Sequence, residues 1–134
     1  MGLDIQIKGL DRENTYHGSY IRFANYRMKV AKAFNETIGE IYKKPYLHYG
    51  YEFTEEEEKQ WNEFLPDENS AMNKFLWHSD CDGKFTSKEC KEIYNELKKI
   101  DVEETYYSDK YTMHELWLNM FIYCYKHRVN MWFY

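Results

Sequence analysis

The sequence predicts an α+β fold, in which one mostly helical domain carries a small sheet formed by its N-terminal and C-terminal strands. Three observations lead there. The chain opens on "LDIQIK", where Leu3, Ile5 and Ile7 alternate with Asp4, Gln6 and Lys8 at the period of a half-buried strand. It closes on "VNMWFY", which is rich in strand formers and leaves no room for a helix. Between the two, apolar residues recur mainly at helical spacing. A lone terminal strand needs a partner, so residues 3–8 and 129–134 are expected to share one sheet covered by helices.

Taken in order, Gly9 to Gly18 reads as loop. From Ser19 onward Tyr20, Phe23, Ala24, Arg27, Met28, Ala31, Phe34, Ile38, Ile41 and Tyr42 predict the longest helix, stopped by Pro45, with Gly39 as a candidate break. Three further helices mark their own starts. Thr54 with Glu57, Thr86 with Glu89 and Thr112 with Glu115 each match the reciprocal cap in which hydroxyl and carboxylate satisfy orphan amides. Each cap contributes about 1 kcal/mol.

"NSAMNKFLWHS" predicts a shorter helix that ends at an acidic loop. The helix after Thr86 places Cys90, Ile93, Tyr94, Leu97 and Ile100 on one stripe, with Lys98 and Lys99 at the negative end of its dipole. The longest apolar run, "LWLNMFIYCY" at 116–125, is too short to cross a bilayer and contains Asn119, so it reads as a core helix. In "TEEEE" the glutamates crowd a helix start, where the macrodipole favours them.

With 134 residues and 43% apolar content, residues 1–134 form one domain able to bury a continuous core. Aromatic residues make up 19%, including 14 Tyr, so many hydroxyl tips should lie half exposed and available to partners. A formal charge of -5 with no basic block lacks the electrostatic footprint of a duplex nucleic-acid binder. Cys81, Cys90 and Cys124 are odd in number with no paired spacing, and no charged-then-apolar leader precedes the first strand. The expectation is a cytoplasmic protein without disulfides and with no membrane partner.

Two stretches are candidates for chemistry. In "HSDCDGKFTSKE", residues 78–89, setting Gly83 as the turn of a calcium-type loop places His78 first, Asp80 third, Asp82 fifth, Phe85 eighth and Glu89 twelfth. His78, Asp80, Asp82 and Glu89 are thus the candidate ligands for a divalent cation, although an imidazole in the leading place weakens a calcium site. A plain turn competes with this reading, since Asp80 and Asp82 can cap turns and Gly83 can supply positive φ. Zinc held by His78, Asp80, Cys81 and Cys90 matches no structural zinc spacing.

The second stretch, "TYHGSYIRFANYR" at 15–27, gathers His17, Gly18, Ser19, Tyr20, Arg22, Tyr26 and Arg27 at the mouth of the longest helix. Free helix amides and arginine forks suit a phosphate, and tyrosines can stack on a base, so these residues resemble half of a nucleotide-sized pocket. Ser19 as an ordinary N-cap with core tyrosines behind it is the competing reading. The ligand reading requires the helix mouth and the acidic turn to shape a common cavity. His114 and His127, near the ends of their helix, read as structural or solvated.

Taken together, "MGLDI" at the start, "HGSYIRF" opening the first helix and "HSDCDG" in the middle, followed by an apolar helix and a short aromatic strand, resemble a small, functionally uncharacterised family of bacterial and bacteriophage proteins. The resemblance runs in order over most of the chain. Residues 43–70 lie outside it, and Ile21 follows "GSY" where small residues are common in the family. It implies a cytoplasmic protein of phage origin and directs attention to Gly18, Ser19, Tyr20, His78, Ser79, Asp80, Cys81, Asp82 and Gly83. It carries no reaction, substrate or cofactor.

Since no complete catalytic set is present, the expected function is that of a non-catalytic binding protein, a phage-encoded counter-defence factor. It would sequester a nucleotide-like small molecule or inhibit a host defence protein, the latter through an exposed apolar or acidic patch for which Glu55 to Glu58 are candidates. A calcium-type module and a metal-dependent hydrolase or nuclease are the alternatives. A homo-oligomer would extend a sheet of two short strands.

Overall fold

The computed structural model describes residues 2–134. Its elements are β1 (Gly2–Ile7), a 3-10 turn (Arg12–Asn14), β2 (His17–Ser19), α1 (Tyr20–Phe34), α2 (Glu36–Tyr42), α3 (Lys44–Leu47), α4 (Glu55–Phe64), α5 (Ala71–Trp77), β3 (Lys84–Phe85), α6 (Ser87–Leu97), α7 (Met113–His127) and β4 (Met131–Phe133). This is an α+β arrangement. The terminal segments pair antiparallel as expected, with Ile5 opposite Phe133 and Ile7 opposite Met131.

Leu3, Ile5, Ile7, Met131 and Phe133 are buried, whereas Gln6 and Trp132 face outward, so the period-two alternation decides which face meets the helices. The sheet has four strands rather than two, in the order β2-β1-β4-β3. β2 spans the end of the stretch read as loop and the first residue of the predicted helix, and β3 leaves the acidic turn. With three and two residues, neither is long enough to display an alternation of its own.

The predicted long helix is divided, and not at Gly39. Asn35 has extended backbone and its side-chain oxygen accepts from the amides of Thr37 and Ile38, closing α1 and opening α2 in one residue. Gly39 sits inside α2, where a Cβ would stand 2.7 Å from the backbone of Lys32, so its role is to let α2 approach α1 closely. Pro45 does not stop the chain in coil; it occupies the first turn of α3, where a missing amide hydrogen costs nothing.

All three capping boxes form. The predicted core helix at 116–125 is the centre of α7, and among the described residues no helix is long and apolar enough to cross a membrane. Trp117 is fully buried and stacks on Phe23 at 4.9 Å, with Phe75, Phe121 and Phe133 around it. Cys90 and Ile93 of α6 lie in the same continuous core, which runs from Leu3 to Phe133.

Candidate functional site

At the mouth of α1 the polar groups are engaged within the protein. Ser19 Oγ accepts from the Arg22 amide at 3.1 Å, the ordinary N-cap bond. The Arg22 guanidinium donates to the carbonyls of Tyr106 (2.7 Å) and Tyr107 (3.2 Å) and lies over the Tyr107 ring, tying a distant loop to the helix. The Tyr107 hydroxyl also meets His17, accepting from its amide at 3.1 Å. Gly18 pairs with Leu3 in the sheet, and Tyr20 packs half-buried against the core. Tyr26 is buried, stacked parallel to Trp117, with its hydroxyl 2.8 Å from His114 Nδ1. Burial raises the Tyr26 hydroxyl and lowers the His114 imidazole relative to their ordinary values.

Arg27 is only 4% exposed. Its Nη1 donates to the carbonyls of Phe75 (3.2 Å) and His78 (2.6 Å) at the end of α5, and its plane covers the Phe23 ring at 4.2 Å. A cation is favoured at a helix C-terminus, so this arginine is a buried cap and not a phosphate fork.

In the acidic loop His78 Nδ1 lies 2.8 Å from the Ser79 carbonyl and Nε2 lies 3.2 Å from the Lys84 carbonyl, with the ring packed between Phe85 and Phe133. Both nitrogens thus face acceptors and neither is turned toward a cation site. Asp82 accepts from the Gly83 amide, and Gly83 takes the turn at φ 85°. Glu89 uses one oxygen in its capping box and the other in an ion pair with Lys74 at 3.2 Å. Burial alone would raise the Glu89 carboxyl, but the Thr86 amide and the Lys74 ammonium hold it below the usual carboxylate range.

Cys81 is exposed while Cys90 is buried, where the neighbouring Cys124 thiol and burial push the Cys90 thiol up. Among the described residues no group of three or more His, Cys, Asp and Glu side chains converges as a metal site. His78, Asp80, Asp82 and Glu89 are therefore near one another in sequence without forming a coordination shell.

The helix mouth and the acidic turn lie at opposite edges of the sheet. Ser19 ends one edge strand and Gly83 precedes the other, three inter-strand steps apart, or about 14 Å. Arg27 reaches from α1 to the start of the acidic turn, and what it meets there is the backbone carbonyl of His78.

A recessed surface lies along α4 and α5; it takes in His78 and Glu89 of the acidic stretch, but its centre is Trp61, Asn73 and Trp77, which are not among the candidate site residues of the sequence. Asn73, buried on α5, donates to the carbonyls of Leu65 (3.3 Å) and Asp67 (2.8 Å) and accepts from Trp61 Nε1 at 3.0 Å. One amide thus fixes both the turn after α4 and the Trp61 ring. Tyr42 donates to the Leu76 carbonyl at 2.6 Å, and burial holds its hydroxyl well above the ordinary phenol value.

Trp77, the last residue of α5, packs on Tyr42 (4.9 Å, 62°), Trp61 (5.3 Å, 51°) and Phe53 (6.0 Å, 79°), yet remains 45% exposed. Trp61 and Trp77 form a ridge shared by two cavities. One, of about 300 Å³, is lined also by Ile41, Phe53, Glu57 and Glu58; the other, of about 1010 Å³, runs toward Lys74, His78, Lys84 and Glu89. The chain matches no protein-family model, no curated protein and no solved structure.

Glu57 is the buried carboxylate of that wall. It bonds to Lys44, to the Tyr51 hydroxyl at 2.6 Å and to the Thr54 amide at 2.9 Å. The Lys44 bond first, then the amide and the phenol, lower its carboxyl to about 2. In the sequence, "EEEEKQWNEF" shows no apolar stripe that would mark Trp61 as part of a site, and in the structure Glu57 is the one buried residue of α4.

Proposed function

We propose that this chain is a non-catalytic binding protein that engages a partner protein through the Trp61–Trp77 face. The observation that carries the reading is a tryptophan ridge, fixed from below by Asn73 and Tyr42, that stays open to solvent between two cavities. Rigid, partly exposed aromatics lose little entropy on docking and dominate interface energies. Tyr46, packed on Tyr42, and Phe64, three residues after Trp61 on α4, add exposed apolar surface, and the Glu55 to Glu58 run supplies an acidic rim. Of the two partner classes the sequence offers, a protein fits better than a nucleotide-like molecule, because Ser19, Arg22, Tyr26 and Arg27 already have internal partners.

Capture from a bacterial lysate with the immobilised protein, compared with Trp77→Ala and with Trp132→Ala on the outer face of the sheet, tests this. The partner should be held by the unaltered chain and by Trp132→Ala, and held at least about 30-fold more weakly by Trp77→Ala. Full retention by Trp77→Ala would sink the assignment of this face.

A further inference from the structure

Building on that reading of the Trp61–Trp77 face, we infer that the smaller cavity is a cation box that takes the alkylammonium head of a lysine or methylated lysine side chain from the partner. Phe53, Trp61 and Trp77 line it, and their planes meet at 51° and 79° instead of presenting one flat platform. A cation within about 6 Å of such ring faces is attracted by their quadrupoles, with tryptophan the strongest partner.

Charge selects the guest further. Among the described residues no basic side chain lines the cavity, and the charge of Glu57 is offset by Lys44. Glu58 is exposed at the rim and takes part in no ion pair among the described residues, as is true of Glu55 and Glu56 in the same turn. The positive end of α4 amounts to about half a charge, which these carboxylates outweigh. A neutral apolar guest would leave that field unused, and an anion would be repelled by it.

Size and connection point to a side chain. A volume of about 300 Å³ lies at the lower end of ligand pockets and suits a compact head group. Trp61, Asn62 and Trp77 also line the cleft of about 1010 Å³, which has room for the main chain that would carry such a head.

The test follows the indole NMR signals of the full chain during titration with a short trimethyllysine peptide, its neutral isostere with carbon in place of nitrogen, and choline. The expected result is saturable shifts at Trp61 and Trp77, with the isostere at least about tenfold weaker. Glu58→Gln should weaken the cationic peptide severalfold and leave the isostere unchanged, and Trp77→Ala should abolish the shift at Trp61.

Equal binding of the isostere would overturn the cation box and leave the protein-binding face standing. Tighter binding of choline than of the peptide would overturn the side-chain source. No saturable shift with any cation, while Trp77→Ala still loses the captured partner, would overturn this inference alone. Retention of the partner by Trp77→Ala would instead overturn the face on which it rests.

Discussion

Trp117 and Trp77 are the same side chain in two settings. Trp117 has no exposed surface and touches Tyr16, Phe23, Tyr26, Phe75, Phe121 and Phe133. Trp77 has half as many rings within reach, in Tyr42, Phe53 and Trp61, and keeps almost half of its surface in water. The first cluster is sealed by the sheet on one side and α1 and α7 on the other; the second is held by side-chain to backbone hydrogen bonds and lacks a covering layer. Aromatic contacts alone therefore do not say whether a cluster serves stability. What covers it does.

The largest effect that would break this contrast is on Trp117. Trp117→Ala should destabilise the protein by about 3–5 kcal/mol in urea denaturation, the cost of emptying a sealed aromatic site. Its indole N–H has no partner among the described residues, so Trp117→Phe should cost much less, because it also removes an orphan donor. Next comes Asn73→Ala, which leaves the Leu65 and Asp67 carbonyls short of a donor and frees the Trp61 ring. A loss of about 1–3 kcal/mol is expected, together with weaker partner capture at temperatures where the fold is intact.

Acid should separate the two regions by pH. His114, beside Tyr26 in the core, has its imidazole lowered by burial, so the unfolded chain takes the proton first and stability falls as pH drops below the ordinary value of 6.5. Glu57, beneath the aromatic ridge, is held at about 2 against an ordinary 4.5, so its contribution is full above 4.5 and is lost between 4.5 and 2. Glu89 and Glu115 are lowered as well and share the acid window. Urea midpoints measured from pH 8 to 2 should fall in both ranges, and Glu57→Gln should shrink the lower step only.

Trp77→Ala should cost about 2 kcal/mol, clearly less than Trp117→Ala because almost half of the ring is already in water, while its effect on capture is large. A stability loss matching that of Trp117→Ala would erase the distinction between the two clusters. Smallest of all is the response to calcium or chelator. With Glu89 engaged by Thr86 and Lys74, the melting temperature should not move in either.

The strands at the two ends, the three capping boxes and the buried α7 were legible because each rests on residues close in sequence with a fixed period or a fixed spacing. The division at Asn35 was not, since the apolar period continues through it while one amide side chain resets the backbone. Gly39 misled for a related reason: a missing Cβ marks close helix contact as readily as a break. At the sites, Arg27 shows the limit. Its spacing placed it both on the apolar stripe and among the anion-binding residues, and only the position of the α5 end reveals that it caps carbonyls. Trp61 and Trp77 are brought together by Asn73 and Tyr42 from different helices, and no local pattern records such a meeting.

The central pair of the sheet joins β1 to β4, and the last residue bonds back to the first strand through Asp4 and Tyr134 in both directions. Closing that pair means bringing together segments separated by nearly the whole chain, the slowest kind of encounter because loop entropy must be lost before any contact rewards it. The helices can form and collapse beforehand, so the sheet acts as the latch of the molecule. Changes at Ile5 or Phe133 should then speed unfolding far more than they slow folding.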